Sequence, residues 1–150
     1  MTLHATTPSS VEHQTYLALQ ILALRLKDET EHLLKPEGLT STQVNVLHIL
    51  RGAGDDALTC GDIAGRLINK DPDVTRLLDR MEKLGLIERA RSGHDRRVLL
   101  TRLSSQGRET VDRLDAPLME LHRRQFHHLP PKRLELLLEL LGEAANSQGA

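Results

Sequence analysis

Aliphatic residues recur along this chain at helical spacing, interrupted by short polar runs. Leu17, Ile21 and Leu24 mark one stripe, and Leu19, Leu22 and Leu26 mark another. They predict a helix over about residues 10–34 that is apolar on two sides and needs two partners. Lys35-Pro36-Glu37-Gly38 ends it. Thr40 then opens Thr-Ser-Thr-Gln, a capping box for a helix that carries Val44, Val46, Leu47, Ile49 and Leu50 inward. Residues 52–56 close that helix. Thr59 caps a short third helix, with Asp62 in its first turn and Ile63, Ala64 and Leu67 facing the core. Asp71-Pro72 predicts the next start, a capping Asp followed by Pro at the first helical position. Val74, Leu77, Leu78, Met81 and Leu84 form its buried stripe, and Gly85 is its stop.

Beyond Gly85 the period changes. Two short strands, over about 87–91 and 98–103, flank the turn formers Ser92-Gly93-His94-Asp95. Ser104 caps a long helix with Val111, Leu114, Leu118 and Leu121 on one face, and Pro117 inside it should kink it. Pro130-Pro131 breaks the chain. A last helix packs Leu134, Leu137, Leu138 and Leu141. Residues 1–10 read as disordered and the tail NSQGA as frayed. The predicted class is mainly α with one small β-hairpin. A short helix, a turn, a second helix with a polar first turn and an Arg-rich hairpin follow one another in the order of a winged helix-turn-helix.

Composition sharpens this picture. With 150 residues the chain makes one domain, or one DNA-reading lobe plus helices that serve it. Tyr16 and Phe126 are its only aromatic residues, so the core must be aliphatic. A net charge of −1 argues at first against nucleic acid. The distribution argues for it: residues 76–102 hold eight Arg and Lys against four acids, while the rest of the chain holds 12 bases and 17 acids. The lone Cys60 excludes an intrachain disulfide and a Cys-based zinc ribbon. The first ten residues lack the charged start and apolar run of a signal peptide, and no stretch approaches the roughly 20 apolar residues of a membrane span. A cytoplasmic location is expected.

The predicted helix after Asp71 has two faces. Its apolar face fixes it to the domain, and its opposite face presents Asp73, Thr75 and Arg76, with Arg80 one turn later. Arginine can donate two hydrogen bonds to guanine, and threonine can offer its hydroxyl to a base edge or its methyl to thymine. In the hairpin, Arg91, Arg96 and Arg97 crowd like charges around a tight turn. A polyanion gives that crowding a purpose, because a narrow minor groove attracts arginine. Asp95 can pair with Arg97 and hold it outward, and His94 is placed to meet phosphate.

Three segments carry a family resemblance: LTCGDIAGRL (58–67), DVTRLLDRMEKLGLIER (73–89) and HDRRVLLTRLSSQG (94–107). They resemble the multiple-antibiotic-resistance regulator (MarR) family, whose most specific signature is the wing Asp-Arg-Arg, here Asp95, Arg96 and Arg97, followed by an apolar strand and a Ser/Thr-x-x-Gly helix start. The resemblance extends over about residues 10–145. It implies a homodimeric regulator, most often a repressor, on a pseudo-palindromic operator of double-stranded DNA, released by a small molecule or oxidant. The implied organisation is a disordered start (1–10), an N-terminal dimerisation helix (11–36), a winged-helix lobe (38–104) and C-terminal dimerisation helices (105–145). Asn69-Lys70-Asp71-Pro72-Asp73 departs from the Ser-rich turn of many members.

Weaker signals remain. Tyr16, Gln20 and His48 are candidates to line an effector pocket, against a plain packing role. Cys60, just after the Thr59 cap, is a candidate redox residue, because helix N-termini lower thiol pKa. His122 stands five and six residues from His127 and His128, which is not the spacing that aims two imidazoles from one helix face at a metal. No metal or other cofactor is expected. Without a Gly-rich phosphate loop, a Gly-x-Ser-x-Gly or a metal-ligand pair, an enzyme is not expected. The rival reading is a winged-helix protein-interaction module that never touches DNA, which has little need of an Arg-rich hairpin tip.

Overall fold

A computed structural model describes residues 10–70 and 72–146 of the chain. Residues 1–9, Asp71 and residues 147–150 lie outside the described residues, so the expected disorder at the start and most of the frayed tail go untested. The elements run α1 (Val11–Leu34), a single 3₁₀ turn (Lys35–Glu37), α2 (Ser41–Gly52), β1 (Leu58–Thr59), α3 (Cys60–Arg66), α4 (Val74–Lys83), β2 (Ile87–Arg91), β3 (Leu99–Leu103), α5 (Ser105–Phe126) and α6 (Pro131–Ala145). This is the mainly helical winged architecture that the pattern predicts. Two compact units divide it, Met1–Asp115 and Ala116–Ala150. The dividing point lies within α5, which continues as a helix through Pro117.

Local chemistry sets the helix starts. Ser10 caps α1 by accepting from His13 N at 3.1 Å. Thr40 and Gln43 form the reciprocal capping box of α2, and Thr59 and Asp62 form a second one at α3. Asp62 is held below the usual carboxylate range by the hydrogen bond from the Thr59 backbone. The expected cap of α4 is corrected. Pro72 lies in a bend and not at the first helical position, and Asp73 is the N-cap, accepting from Arg76 N at 3.2 Å. An N-cap needs extended backbone and an acceptor that reaches the third helical N–H, and Asp73 supplies both.

The sheet has one strand more than the sequence announces. β1 is two residues long, too short to show alternation, and it pairs antiparallel with β3 to give the order β1-β3-β2. The hairpin register runs from Ile87 opposite Leu103 to Arg91 opposite Leu99. Val44, Val46, Leu47 and Leu50 of α2 are buried with Ile63, Leu67, Leu78, Met81, Val111 and Leu114. Three expected core positions are exposed, and Ile49, Ala64, Val74, Leu77, Leu134 and Leu137 are only half-buried. Leu84 is 44% exposed, because it is the C-cap where α4 turns away, and Leu86 two residues later is buried in the chain's core. Leu138 and Leu141 are exposed, and α6 buries none of its residues.

One crowded point joins α4, the wing and α5. Gly85 leaves α4 at φ +78°, a left-handed conformation suited to glycine. Ser104 N donates to Leu86 O at 3.1 Å, while Ser104 Oγ donates to Gly85 O at 2.5 Å and accepts from Gly107 N at 2.9 Å. A Cβ on Gly107 would stand 2.0 Å from Leu86 O. This explains the Ser-x-x-Gly helix start physically: only glycine lets the first turn of α5 lie against that carbonyl.

A second joint ties α2 to α5. Arg51 donates to Asp112 at 2.9 Å and to both oxygens of Asp115 at 2.7 and 3.0 Å. His48 Nε2 lies 3.8 Å from Asp115 Oδ1. Arg113 of α5 reaches Glu37 at 2.8 Å, and Glu31 of α1 accepts from the Ser41 backbone at 3.0 Å and from the Ser41 hydroxyl. Burial first, then the charge of Arg51, holds His48 below the usual imidazole value, while Asp115 opposes them. Asp115 is held below the usual carboxylate range by the hydrogen bond from Arg51.

Two tests follow from these joints. Gly107→Ala forces a methyl group against backbone and should cost about 3 kcal/mol, lowering Tm by roughly 10 °C. An unchanged Tm would show that the contact relaxes freely. The second test is acid lability. The unfolded chain protonates His48 more readily than the folded one, so stability falls as pH drops from about 6.5 toward the lowered folded value. Asp115 acts lower on the scale: its contribution is present above about 3.9 and is lost as pH falls through its depressed folded value. His48→Gln should therefore flatten the loss of Tm between about pH 7.5 and about pH 5.5. Superimposable Tm profiles for variant and wild type would remove His48 from the account.

Candidate nucleic-acid interface

The short turn between α3 and α4 is fixed by side chains reaching backbone. Asn45 Oδ1 accepts from Ile68 N at 2.9 Å, and Lys70 Nζ donates to Gly65 O at 2.6 Å and Ala64 O at 3.3 Å, at the negative end of α3. With its entry held, α4 presents Thr75, Arg76 and Arg80 to solvent, while Leu78 and Met81 anchor its other side. Asp73 is exposed as well, but its carboxylate is occupied as the cap. Among the described residues the Arg76 and Arg80 side chains have no hydrogen-bond or ion-pair partner. Both guanidinium groups keep their full donor capacity for an incoming acceptor.

The hairpin is closed from within. Ser92 N donates to Val98 O at 2.8 Å, Val98 N to Asp95 O at 3.0 Å, and His94 N to Ser92 Oγ at 3.2 Å. Asp95 Oδ1 accepts from Arg97 N at 3.0 Å and from Arg97 Nε at 3.2 Å. The Arg97 side chain is nevertheless 92% exposed, so one carboxylate fixes its direction and leaves its terminal nitrogens outward. Arg91, His94 and Arg96 are exposed around the same tip. Arg89, Arg91 and Arg102, with Glu88, line a groove of about 460 Å³ along the hairpin.

Arg89 has a role that sequence reading missed by counting it only as one more basic residue. It starts on β2 and reaches α4, donating from Nη2 to Asp79 at 2.5 Å and to Glu82 at 2.9 Å. Its side chain is only 11% exposed, and its Nε is buried without a partner. Glu82 and Asp79 hold its guanidinium above the usual range. The spacing held a clue: Asp79 and Glu82 are three residues apart, so they share one helix face, and a buried cation beside them satisfies both.

The other candidates lie on α1, α2 and α3. Tyr16 and Gln20 stand exposed on α1, and His48 is half-buried and engaged with Asp115. The hairpin groove and a cavity of about 170 Å³ beside Leu84 and Leu86 are lined by other residues. Cys60 is half-buried, with Sγ 3.9 Å from Thr75 Oγ1 on α4. In the second unit His122 Nδ1 lies 2.9 Å from Gln125 Oε1, and His127 Nδ1 lies 2.8 Å from Arg124 O. Among the described residues no group of three or more His, Cys, Asp or Glu is arranged to hold a metal, and no helix is long and apolar enough to cross a membrane.

Comparison with known proteins identifies the family and the fold. A model of the MarR family matches residues 37–98, from the 3₁₀ turn to the end of the wing tip. The crystal structure of a MarR transcription factor from Planctomyces limnophilus is 31% identical, covers 91% of this chain and 98% of its own, and superposes with a TM-score of 0.70. The HTH-type transcriptional repressor IacR of Pseudomonas putida is 29% identical over 117 residues, 78% of this chain and 69% of its own. BpsR of Bordetella bronchiseptica, whose DNA binding is regulated by 6-hydroxynicotinic acid, shares the fold at a TM-score of 0.82 and 21% identity, over 95% of this chain and all of its own.

Proposed function

The chain belongs to the MarR family of transcription regulators, and from that membership we propose that it is a repressor that grips a pseudo-palindromic operator as a homodimer. It binds duplex DNA. The observation that carries our assignment of the reading surface is the set of exposed, outward guanidinium groups on two adjacent elements: Arg76 and Arg80 on α4, Arg96 and Arg97 at the wing. In this reading α4 enters the major groove, where Arg76 and Thr75 meet base edges and Arg80 meets phosphate. The wing reaches the minor groove with Arg96 and Arg97, while Arg91 and His94 flank it. Asp95 orients Arg97 and makes no contact itself. The role of the chain is regulatory and not catalytic, and it acts in the cytoplasm.

Residues 38–104 serve as the DNA-reading lobe, with α1 and residues 105–145 for dimerisation. Exposed hydrocarbon supports this: Leu24 is 67% exposed on α1, and Leu138 is 72% exposed on α6. Faces of this kind are covered in solution by a partner. Two copies of α4 then meet successive major grooves about 34 Å apart. Release by a small molecule is the mode of control we assign, in keeping with the regulation of BpsR by an organic acid.

These assignments are tested on a duplex enriched from a randomised pool by the wild-type protein. Arg76→Ala should cost roughly 1–3 kcal/mol and relax preference at one base position per half-site. Arg97→Ala should weaken binding across all sequences and flatten the salt dependence. Asp95→Ala raises the net charge, so tighter binding is expected from charge alone, and weaker binding from loss of orientation. Measured anisotropy at fixed salt gives the sign, and tighter binding removes the orienting role. Leu137→Glu with Leu141→Glu places unpaired charge in the proposed interface. The variant should be monomeric or aggregated in light scattering and lose tight operator binding, whereas an intact dimer with normal affinity puts the interface elsewhere.

A further inference from the structure

The acids of α4 pose a problem for a helix that approaches phosphate. Asp79 and Glu82 lie in the same ten residues as Arg76 and Arg80, and their side chains are 51% and 43% exposed. Asp79 is three residues after Arg76 and four before Lys83, so it is a helix neighbour of both. Left to itself, its carboxylate would pair with one of them. The structure has Asp79 turned to Arg89 instead, and Glu82 beside it on the same nitrogen.

We infer that Arg89 is a positioning residue for DNA reading: it holds Asp79 and Glu82 against β2 and so keeps Asp79 from capturing Arg76. The inference rests on the reading of α4 as the base-contacting helix. Stability alone does not account for Arg89. A cation this buried loses hydration, its Nε finds no partner, and both of its carboxylates remain half in water. Buried ion pairs of this kind return little net stability over an apolar replacement. What Arg89 does supply is a positive charge set against two carboxylates at the edge of the DNA-facing surface, both of which it holds toward β2. It also ties α4 to the first strand of the wing, so the two reading elements hold a common orientation. A base-reading arginine with no internal partner needs no bond broken before it meets DNA.

The test is a rescue experiment on the full-length chain with the selected duplex. Arg89→Ala should weaken binding about tenfold and make the salt dependence shallower. Asp79→Asn with Glu82→Gln in the wild-type background should change affinity by less than about threefold, because those carboxylates are already held away from Arg76. Combining the three substitutions should restore affinity to within about threefold of wild type, although no ion pair is rebuilt. Arg89→Lys, which keeps the charge without the forked geometry, should lie between wild type and Arg89→Ala. Failure of the triple variant to recover binding would overturn the inference and make Arg89 either a direct phosphate contact or a purely structural tie. If Arg89→Ala does not fold, Arg89→Lys with and without the two acid substitutions decides the same question through the sign of the change. Arg76→Ala, measured in parallel, separates the two levels. Weakening by Arg76→Ala with no effect of Arg89→Ala sinks this inference alone, and no effect of Arg76→Ala sinks the reading of α4 beneath it.

Discussion

The contact on which the other relations depend is the seating of Gly107 against the carbonyl of Leu86. A Cβ there would stand 2.0 Å from that oxygen. Protein interiors do not yield to such an overlap without moving backbone. The exit of α4, the start of β2, the end of β3 and the start of α5 therefore share one fixed point, reinforced by Ser104 hydrogen bonds to Gly85, Leu86 and Gly107. α4 and the wing are separate elements, yet both leave from this junction. Their relative angle is set by sterics at a residue that has no side chain.

Charge placement explains how a chain of net charge −1 carries a DNA surface. Most acids near the basic segment have named partners. Asp79 and Glu82 are taken by Arg89, Asp95 by Arg97, and Asp112 and Asp115 by Arg51. The guanidinium groups of Arg76, Arg80 and Arg96, by contrast, have no internal partner among the described residues. Local field and not net charge governs approach to a polyanion. The cations that pair do so with acids that would otherwise lower that field.

The helices and the hairpin were legible because their signals are local. Capping residues, aliphatic period and turn formers each act within four or five residues, and the α2 capping box, the Thr59 cap of α3 and the hairpin strands follow them closely. What was not legible depends on distant partners. β1 is a strand only because β3 lies beside it. Leu84 reads as core by spacing, but α4 ends at that residue and the core takes Leu86. Asp71-Pro72 reads as the start of α4, but the helix opens two residues later, where the Asp73 carboxylate reaches Arg76 N. The charged face of α4 was readable, but not that Arg89 would cross from the wing to occupy its acids, because that pair is joined by tertiary packing.

The wing tip has a consequence in time. Asp95 fixes the backbone N–H and the Nε of Arg97 before any ligand arrives, and three further hydrogen bonds close the loop behind it. A loop that is already ordered loses little conformational entropy on docking. Encounter then need not wait for a rare shape of the hairpin, and association runs at a rate set by diffusion and charge. In the proposed docking, differences between one DNA sequence and another then fall on dissociation, and sites are told apart by how long the protein stays.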